Sequence, residues 1–291
     1  MTQLLLTPIR IQAIGRNTFT ELVRQKVFYF LLIFGLIVIG NSAFLAKFSF
    51  QEEFQMLKDV SLGAMSVFLS LLAILATATL LPRDLEDRTI FTILSKPVPR
   101  YEYLLGKLLG VVILLTASTL VMGLLFLGVL FLRENMALAE TRLSLGGSPQ
   151  ELAAALAEIK KATFSWDLIP AMAILLVKGI LLASLTLLVS TFATSGIFAI
   201  LISASAYFIG HLQVTAREYW MNGMGIHWWT RIFTAFVALL FPDLQAFNLS
   251  DDIVAGIALP LGLFFQTVVL GVVYTAVYYA IACFVFESRE L

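Results

Sequence analysis

The chain has 291 residues, of which 60% are hydrophobic and only 13% charged, and its formal net charge is zero. Soluble domains usually have about a quarter of their residues charged, so this much apolar surface needs lipid to cover it. The zero net charge gives no support for nucleic-acid binding. The single cysteine, Cys283, excludes a disulfide within the chain.

The first 26 residues predict an amphipathic helix that lies along the membrane ahead of the first span. Within residues 9–23, apolar side chains alternate at helical spacing with arginines and one glutamate. Basic residues then lead into an apolar run long enough to cross a bilayer, and no short apolar region ends at a cleavage site. We therefore do not expect a cleaved signal peptide.

Six apolar stretches predict transmembrane helices, since a span takes about 20 residues with a rise of about 1.5 Å each. The small and polar residues 190–196 predict the break between the fourth and fifth spans. Pro260 predicts the end of a short helix before the sixth. The predicted spans are residues 27–46, 60–82, 108–132, two within 168–216, and 261–286. The predicted fold class is therefore an all-α polytopic membrane bundle, forming one domain over residues 1–291.

The first of two long outer connections covers residues 133–167 and contains its own predicted helix. Ser148 and Glu151 form a capping box, and Pro149 occupies the first helical position. This helix either shields the ends of the spans or acts as an external gate.

The second outer connection covers residues 217–260. Its apolar stretch at 232–241 is too short to cross the membrane and suits a re-entrant helix. The alternative is a seventh span that begins near Met224. Because six spans put both termini on one side, the positive-inside rule places the termini and residues 83–107 in the cytoplasm.

Residues 83–107 form a charged segment between two charge-free spans. A polar helix in this position is a good surface for a soluble partner. Residues 84–95 predict about three helical turns parallel to the membrane, ended by Pro97 and Pro99. The alternative is a loop that only sets topology. The residues expected to face the cytosol are Arg83, Asp84, Glu86, Asp87 and Arg88.

Residues 86–107 resemble the signature of type-2 ABC transporter permeases, in which an acidic residue and a Gly-Thr pair precede a proline turn and Leu-Gly-Lys. Arg88 stands where that family usually has glycine. Residues 242–249 and 286–291 also resemble permeases grouped with multicopper-enzyme maturation transporters. The matching positions of the signature are Glu86, Thr89, Ile93, Leu94, Pro97, Val98, Pro99, Arg100, Leu105, Gly106 and Lys107.

The resemblance implies that this segment is a coupling helix, which docks into a cleft of a separate P-loop ATPase. It also implies a second permease copy in a homodimer, and a place in the bacterial inner membrane with both termini cytoplasmic. An outer accessory protein is a further compatible partner. The residues implied in coupling are Arg83, Asp84, Glu86, Asp87, Arg88, Thr89, Thr92 and Leu94.

The chain itself is not expected to be an enzyme or to hold a cofactor. A phosphate-binding loop ends in Gly-Lys-Ser/Thr, whereas Gly106 and Lys107 are followed by Leu108. ATP and Mg²⁺ are therefore expected on the ATPase partner. The two histidines, His211 and His227, are too few and too separated in sequence to predict a metal site.

Lys178 is the one full charge deep within a predicted span, about 13 Å along the helix from Ile169. A charge there costs at least about 3 kcal/mol. We interpret Lys178, with Gln266 as a weaker candidate, as part of a substrate path. Lys178 either faces an aqueous cavity and meets an anionic group, or is neutral, or bonds to carbonyls and hydroxyls. The hydroxyls considered are Ser184, Thr186 and Thr116.

Three classes of function remain open at this stage. The first is an ATP-driven permease, with export favoured because nothing suggests docking of a periplasmic binding protein; a variant transmits force to an outer partner without moving a solute. The second is a secondary carrier or channel, although such folds often have two similar halves. Here the 83–107 link is charged and the 190–196 link is not. The third is a membrane-embedded enzyme, which needs converging polar residues that Lys178 alone does not provide.

Overall fold

The computed structural model describes residues 2–46, 53–87, 98–144, 149–222, 228–229, 232, 236–237, 240–248 and 260–288. Within these ranges all regular secondary structure is helical. The helices are α1 (Thr2–Val23), α2 (Lys26–Ala46), α3 (Glu53–Ala78), α4 (Leu80–Glu86), α5 (Arg100–Ser144), α6 (Pro149–Thr163), α7 (Leu168–Phe192), α8 (Gly196–Asn222) and α9 (Leu261–Ser288). A 3₁₀ turn at Gln245–Phe247 precedes α9.

In the described part of the chain, 6 helical stretches are long and apolar enough to cross a membrane. They contain α2, α3 with α4, α5, α7, α8 and α9. The predicted all-α polytopic bundle is confirmed. The break between the fourth and fifth spans also lies where predicted, since α7 ends at Phe192 and α8 begins at Gly196. Helices suit this setting because each satisfies its own backbone hydrogen bonds without water.

The third span belongs to a longer helix than predicted. α5 continues to Ser144, past the predicted end at Leu132, and so occupies the first part of the segment predicted as an outer loop. The residues after Leu132 include good helix formers. The chain also gains a salt bridge there, because Arg133 Nη2 lies 2.7 Å from Glu53 Oε2 at the start of α3. Loss of hydropathy ends the apolar run at this point, but it does not end the helix.

α6 lies at the end of the bundle where α3 begins and α5 ends, which we call the α6 end. The helix begins at Pro149, as the capping pattern predicts, while Ser148 lies outside the described residues. The buried Lys58 amine of α3 donates to the Ala162 carbonyl at 2.7 Å. α6 is therefore attached to the bundle by a cation near its own carboxyl end, where the helix dipole favours positive charge.

α7 is the central helix of the bundle. It packs against α3, α5, α8 and α9, and its side chains are buried on nearly all sides. A helix that is apolar all round is expected to be enclosed by others. Only Lys178 departs from this pattern by carrying a charge, so the charge is placed at the most enclosed part of the fold.

α1 packs along the first turns of α5 through a notch made by glycines. A Cβ added at Gly106 would lie 2.6 Å from Ile14 Cβ, and one at Gly110 would lie 2.6 Å from Thr18 Cβ and 2.8 Å from the Gly15 carbonyl. Small residues spaced four apart let helix backbones approach closely. The predicted amphipathic helix is present, but its apolar Ile14 packs on α5 and does not face lipid. We call this end of the bundle, where α1, α4 and the start of α5 meet, the α1 end.

The segment before α9 enters the bundle. The Leu244 amide donates to the Gly210 carbonyl of α8 at 3.1 Å. The Tyr278 hydroxyl of α9 donates to the Leu240 carbonyl at 2.8 Å. Because Tyr278 is well inside α9, residues 240–248 reach the interior of the bundle, and we call them the inserted segment.

Phe247 fixes the inner end of the inserted segment. It is fully buried, and a Cβ added at Gly271 of α9 would lie 3.1 Å from its ring. The glycine therefore provides the space in which the aromatic ring packs. The helix predicted at 232–241 and the alternative span from Met224 fall largely outside the described residues.

The glycine notch predicts a difference between two glycines of α5. Gly110→Ala places a methyl group against Thr18 and is expected to destabilise the fold by about 1–3 kcal/mol through overpacking. The matched control is Gly128→Ala in the same helix, because a Cβ there meets nothing within 4 Å. That change is expected to stabilise the helix by up to about 1 kcal/mol. Thermal unfolding in detergent measures both; equal midpoints for the two variants would contradict the notch.

Candidate functional site

The predicted coupling segment begins on α4, at the α1 end. Thr79 interrupts the helix that starts at Glu53, and the chain resumes as α4. The side chains of Arg83, Glu86 and Asp87 are exposed, and Arg83 Nε lies 3.6 Å from Asp87 Oδ2 one turn further on. α4 therefore presents a charged face away from the bundle. The remaining predicted coupling residues, Arg88, Thr89, Thr92 and Leu94, lie outside the described residues.

Asp84 does not face solvent, and this part of the prediction is wrong. Asp84 is only 8% exposed, and its Oδ2 lies 2.6 Å from Lys107 Nζ of α5. The Tyr103 hydroxyl, one turn earlier on α5, donates to the same carboxylate oxygen. Helical phase explains the difference, because Asp84 is turned by about 100° from its neighbour Arg83 and so points to α5.

Glu21 of α1 completes the contact between three helices. Its Oε1 lies 3.4 Å from Arg83 Nη1 of α4, and its Oε2 lies 3.8 Å from Lys107 Nζ of α5. One carboxylate thus serves cations from two other helices. We call Glu21, Arg83, Asp84, Tyr103 and Lys107 the α1-end cluster. In such a cluster, loss of one buried partner leaves the other charge uncompensated, at a cost of about 3–5 kcal/mol.

A cleft of about 770 Å³ opens beside the α1-end cluster, between α1 and α4. Its walls include charged side chains of both signs, among them Glu21, Arg24 and Asp87. Such a surface is costly to cover with lipid tails. The cleft is therefore suited to water or to a protein partner.

Three members of the α1-end cluster were not assigned to it by sequence reasoning. Tyr103 carries no sequence signal for this role, and Glu21 belongs by its position to the predicted amphipathic helix. A signal existed for Lys107, which closes the Leu-Gly-Lys part of the resembled signature. Glu21 gave no local signal, because its partners lie more than 60 residues further along the chain.

Lys178 lies between three helices and is 2% exposed. Its amine donates to Ser66 Oγ of α3 at 3.2 Å and lies 3.3 Å from His211 Nε2 of α8. It also lies 5.8 Å from the centre of the Tyr207 ring, close enough for a cation–π contact. Among the described residues, no carboxylate forms a salt bridge with Lys178.

The hydroxyl partners considered for Lys178 are not the ones found. Ser184 donates to the Leu181 carbonyl at 2.7 Å, and Thr116 donates to the Val112 carbonyl at 2.8 Å, so both serve their own helices. Gln266 is exposed on α9, whereas Lys178 is enclosed. The structure therefore does not bring the two predicted substrate-path residues together.

The remaining polar residues of the spans do not form a metal centre. Among the residues the structure describes, no group of three or more His, Cys, Asp or Glu side chains is arranged to hold a metal ion. His211 contacts Lys178, and His227 lies outside those residues.

Comparison with known proteins decides the family. Residues 12–291 match the family model described as ABC-2 family transporter protein. The chain belongs to this family. A search of curated proteins found no match. The family match supports the resemblance seen in the coupling signature, while the multicopper-enzyme maturation subgroup stays a prediction.

Membership makes this chain a multi-pass membrane permease, the membrane transport component of an ABC transporter. The family implies an ATPase partner in the transporter. The α1-end cluster and the surroundings of Lys178 are therefore two candidate sites of a permease, one at an end of the bundle and one in its interior.

The surroundings of Lys178 predict that the permease does not lose stability when the buried charge is removed. Lys178→Met keeps the length of the side chain and removes the cost of burying an amine, so it is expected to be neutral or stabilising by about 1–4 kcal/mol. Lys161→Met, at an exposed lysine of α6, is the control and should change stability by less than about 0.5 kcal/mol. Thermal unfolding in detergent is the measurement. A clear loss of stability in Lys178→Met would show that the lysine is a structural requirement.

Proposed function

We propose that this permease is the membrane subunit of an ATP-driven exporter, and that a separate ATPase drives it from the α1 end. The salt bridge of 2.6 Å between Asp84 and Lys107 carries the proposal. It ties the end of α4, where the predicted coupling segment begins, to the third span. A push on α4 is therefore delivered to α5.

The side chains of α4 are divided between two tasks in this proposal. Arg83, Glu86 and Asp87 are exposed and available to a partner, whereas Asp84 points inward to Lys107. Glu21 contacts both Arg83 and Lys107, so α1 moves with α4 and α5. The ATPase would bind the outward face while the inward face transmits its movement.

We infer that the α1 end lies in the bacterial cytoplasm, with the chain in the inner membrane and both termini cytoplasmic. Arg24 and Lys26 precede the first span, and Arg83, Arg100 and Lys107 also lie at this end, which the positive-inside rule favours. We also infer a homodimer, since two permease copies match two ATPase subunits. ATP and Mg²⁺ are bound by the ATPase.

A second candidate function is the transmission of force to an outer accessory protein without transport of a solute. It is favoured by the continuity of α5, which runs for 45 residues, or about 67 Å at 1.5 Å per residue. The same helix carries Lys107 near one end and Arg133 near the other. Movement at the α1 end would therefore reach α6, which the Lys58 hydrogen bond holds at the opposite end.

The exposed face of α4 predicts loss of the ATPase on charge reversal. Glu86→Arg changes an exposed side chain and is expected to release the ATPase, because reversal of a charge in a docked surface leaves like charges facing each other. The measurement is purification of the tagged permease in mild detergent from its native membranes, followed by identification of P-loop ATPases that come with it.

The matched control for this purification is Glu158→Arg. Glu158 is an exposed glutamate of α6 at the opposite end of the bundle, so its reversal should leave the ATPase bound. If no ATPase accompanies the unchanged permease in a monodisperse preparation, the proposal fails and a secondary carrier or channel becomes the better assignment. Equal retention in the two variants would remove the exposed face of α4 from the contact.

The inward face of α4 predicts a different defect. Lys107→Asp places two acids together beside Asp84, and Asp84→Lys places two cations together, so each is expected to uncouple α4 from α5. The double variant Asp84→Lys with Lys107→Asp restores opposite charges and should recover most of the coupling. The measurement is the rate of ATP hydrolysis by the purified complex relative to the free ATPase.

The exposed charges of α4 are unchanged in these variants, so the ATPase should still co-purify with each of them. Size-exclusion profiles confirm that each variant is folded. A double variant no better than the two single variants would show that the pair does not transmit movement. Loss of the ATPase from the single variants would show that the pair supports docking and not transmission.

A further inference from the structure

Two ionisable side chains from different helices meet inside the bundle, and a third lies on the segment inserted beside them. They are Lys178 of α7, His211 of α8 and Asp243 of the inserted segment. Lys178 Nζ lies 3.3 Å from His211 Nε2. The hydrogen bond from the Leu244 amide to the Gly210 carbonyl places Asp243 next to the turn of α8 that carries His211, and Asp243 Oδ1 accepts from the Gln245 amide at 3.0 Å.

The hydrogen bonds define how the Lys178–His211 pair holds a proton. His211 Nδ1 lies 3.3 Å from the Tyr207 carbonyl, so Nδ1 carries a hydrogen and donates it. Nε2 is then the acceptor for the Lys178 amine. The same contact forms between a neutral lysine and a cationic histidine, since the proton lies on either nitrogen. A second proton would place two positive charges 3.3 Å apart in a medium of low dielectric constant.

We propose that Lys178 and His211 form a proton-binding site of the permease, and that the site exchanges its proton with water on the side of the inserted segment that carries Asp243. Lys178 is almost fully enclosed, whereas Asp243 is only half-buried. When the site takes up a proton from water, the Lys178–His211 pair becomes cationic, and when it returns the proton to water the pair becomes neutral. Charge is conserved in the transfer, and no other reactant is needed.

The other groups around the Lys178–His211 pair do not compete with it for the proton. Ser66 of α3 accepts from the Lys178 amine at 3.2 Å, and Tyr207 lies beneath it. α3 has no charged residue between Asp59 and Arg83, and α5 has none from Leu108 to Leu132. The titratable side chains of α9 within its apolar run are Tyr274, Tyr278, Tyr279 and Cys283.

The inserted segment ties proton binding to conformation. Irregular backbone at membrane depth is tolerated where it is buried in protein or lines a water-filled cavity, and interrupted helices form ion sites in transporters. The segment packs where α8 has Gly210, at which an added Cβ would lie 2.8 Å from Leu244. Withdrawal of the segment would take Asp243 away from His211. The access of the site to water therefore depends on the position of the inserted segment.

The chain has only two histidines, which makes the site directly observable. In the His227→Asn variant, labelled with ¹⁵N-histidine and reconstituted in liposomes, every imidazole signal comes from His211. We expect the two ring-nitrogen signals to respond reversibly as the pH is changed from about 5 to about 9. Lys178→Met in this background should move the pH of the response by at least about one unit, because the partner in the shared proton is gone.

Asp243→Asn should slow the response of His211 after a pH jump several-fold, while leaving its two end states in place. The matched control is Asp59→Asn, at an exposed aspartate of α3, which should change neither the pH nor the speed of the response. The proposal is overturned if His211 does not respond to bulk pH, or if Lys178→Met leaves the response where it was. It is also overturned if Asp243→Asn and Asp59→Asn behave alike. No ATPase is present in the measurement, so its outcome is independent of the proposed function.

Discussion

The salt bridge between Asp84 and Lys107 is the contact on which the α1 end depends. It joins the end of α4 to the start of α5, and Glu21 extends it to α1. The residue before Lys107 is Gly106, whose missing side chain lets α1 reach the backbone of α5. Gly106 therefore permits the contact with α1, and its neighbour Lys107 forms the salt bridge with α4. This gives a physical reason for the Leu-Gly-Lys part of the signature: glycine provides the approach and lysine the charge that holds it.

Long helices connect this local contact to the opposite end of the bundle. α5 is continuous from the α1-end cluster to the salt bridge between Arg133 and Glu53. α7 lies at the centre and packs against α3, α5, α8 and α9. Because close-packed interiors do not deform smoothly, a shift of α5 must be taken up by movements of whole helices. Beyond its first two residues, and apart from its 3₁₀ turn, the inserted segment has no regular backbone hydrogen bonding, so it is a natural place for such movements to be accommodated.

The spans were predictable because a bilayer requires continuous apolar runs, which residues 27–46 and 261–286 display directly. The end of α5 was not predictable from the apolar run. Hydropathy marks where contact with lipid stops, whereas the helix continues past Arg133. The inward turn of Asp84 depends on helical phase and on a partner more than 20 residues away. The partners of Lys178 come from two other helices. Hydroxyls such as Ser184 had already found carbonyls in their own helix, as serine and threonine commonly do.

The two polar sites differ in how their charges are compensated, and this separates their roles. In the α1-end cluster, Lys107 and Arg83 face Glu21 and Asp84, so each cation has a carboxylate and the arrangement favours a fixed joint. In the bundle interior, Lys178 is bound by a hydroxyl and an imidazole, both of them neutral acceptors when the lysine carries the proton. That arrangement stabilises a charge less well than a carboxylate does, and its proton is correspondingly easy to move. A lysine enclosed at such cost, beside a histidine and close to the inserted segment, is better explained by exchange of that proton than by stability.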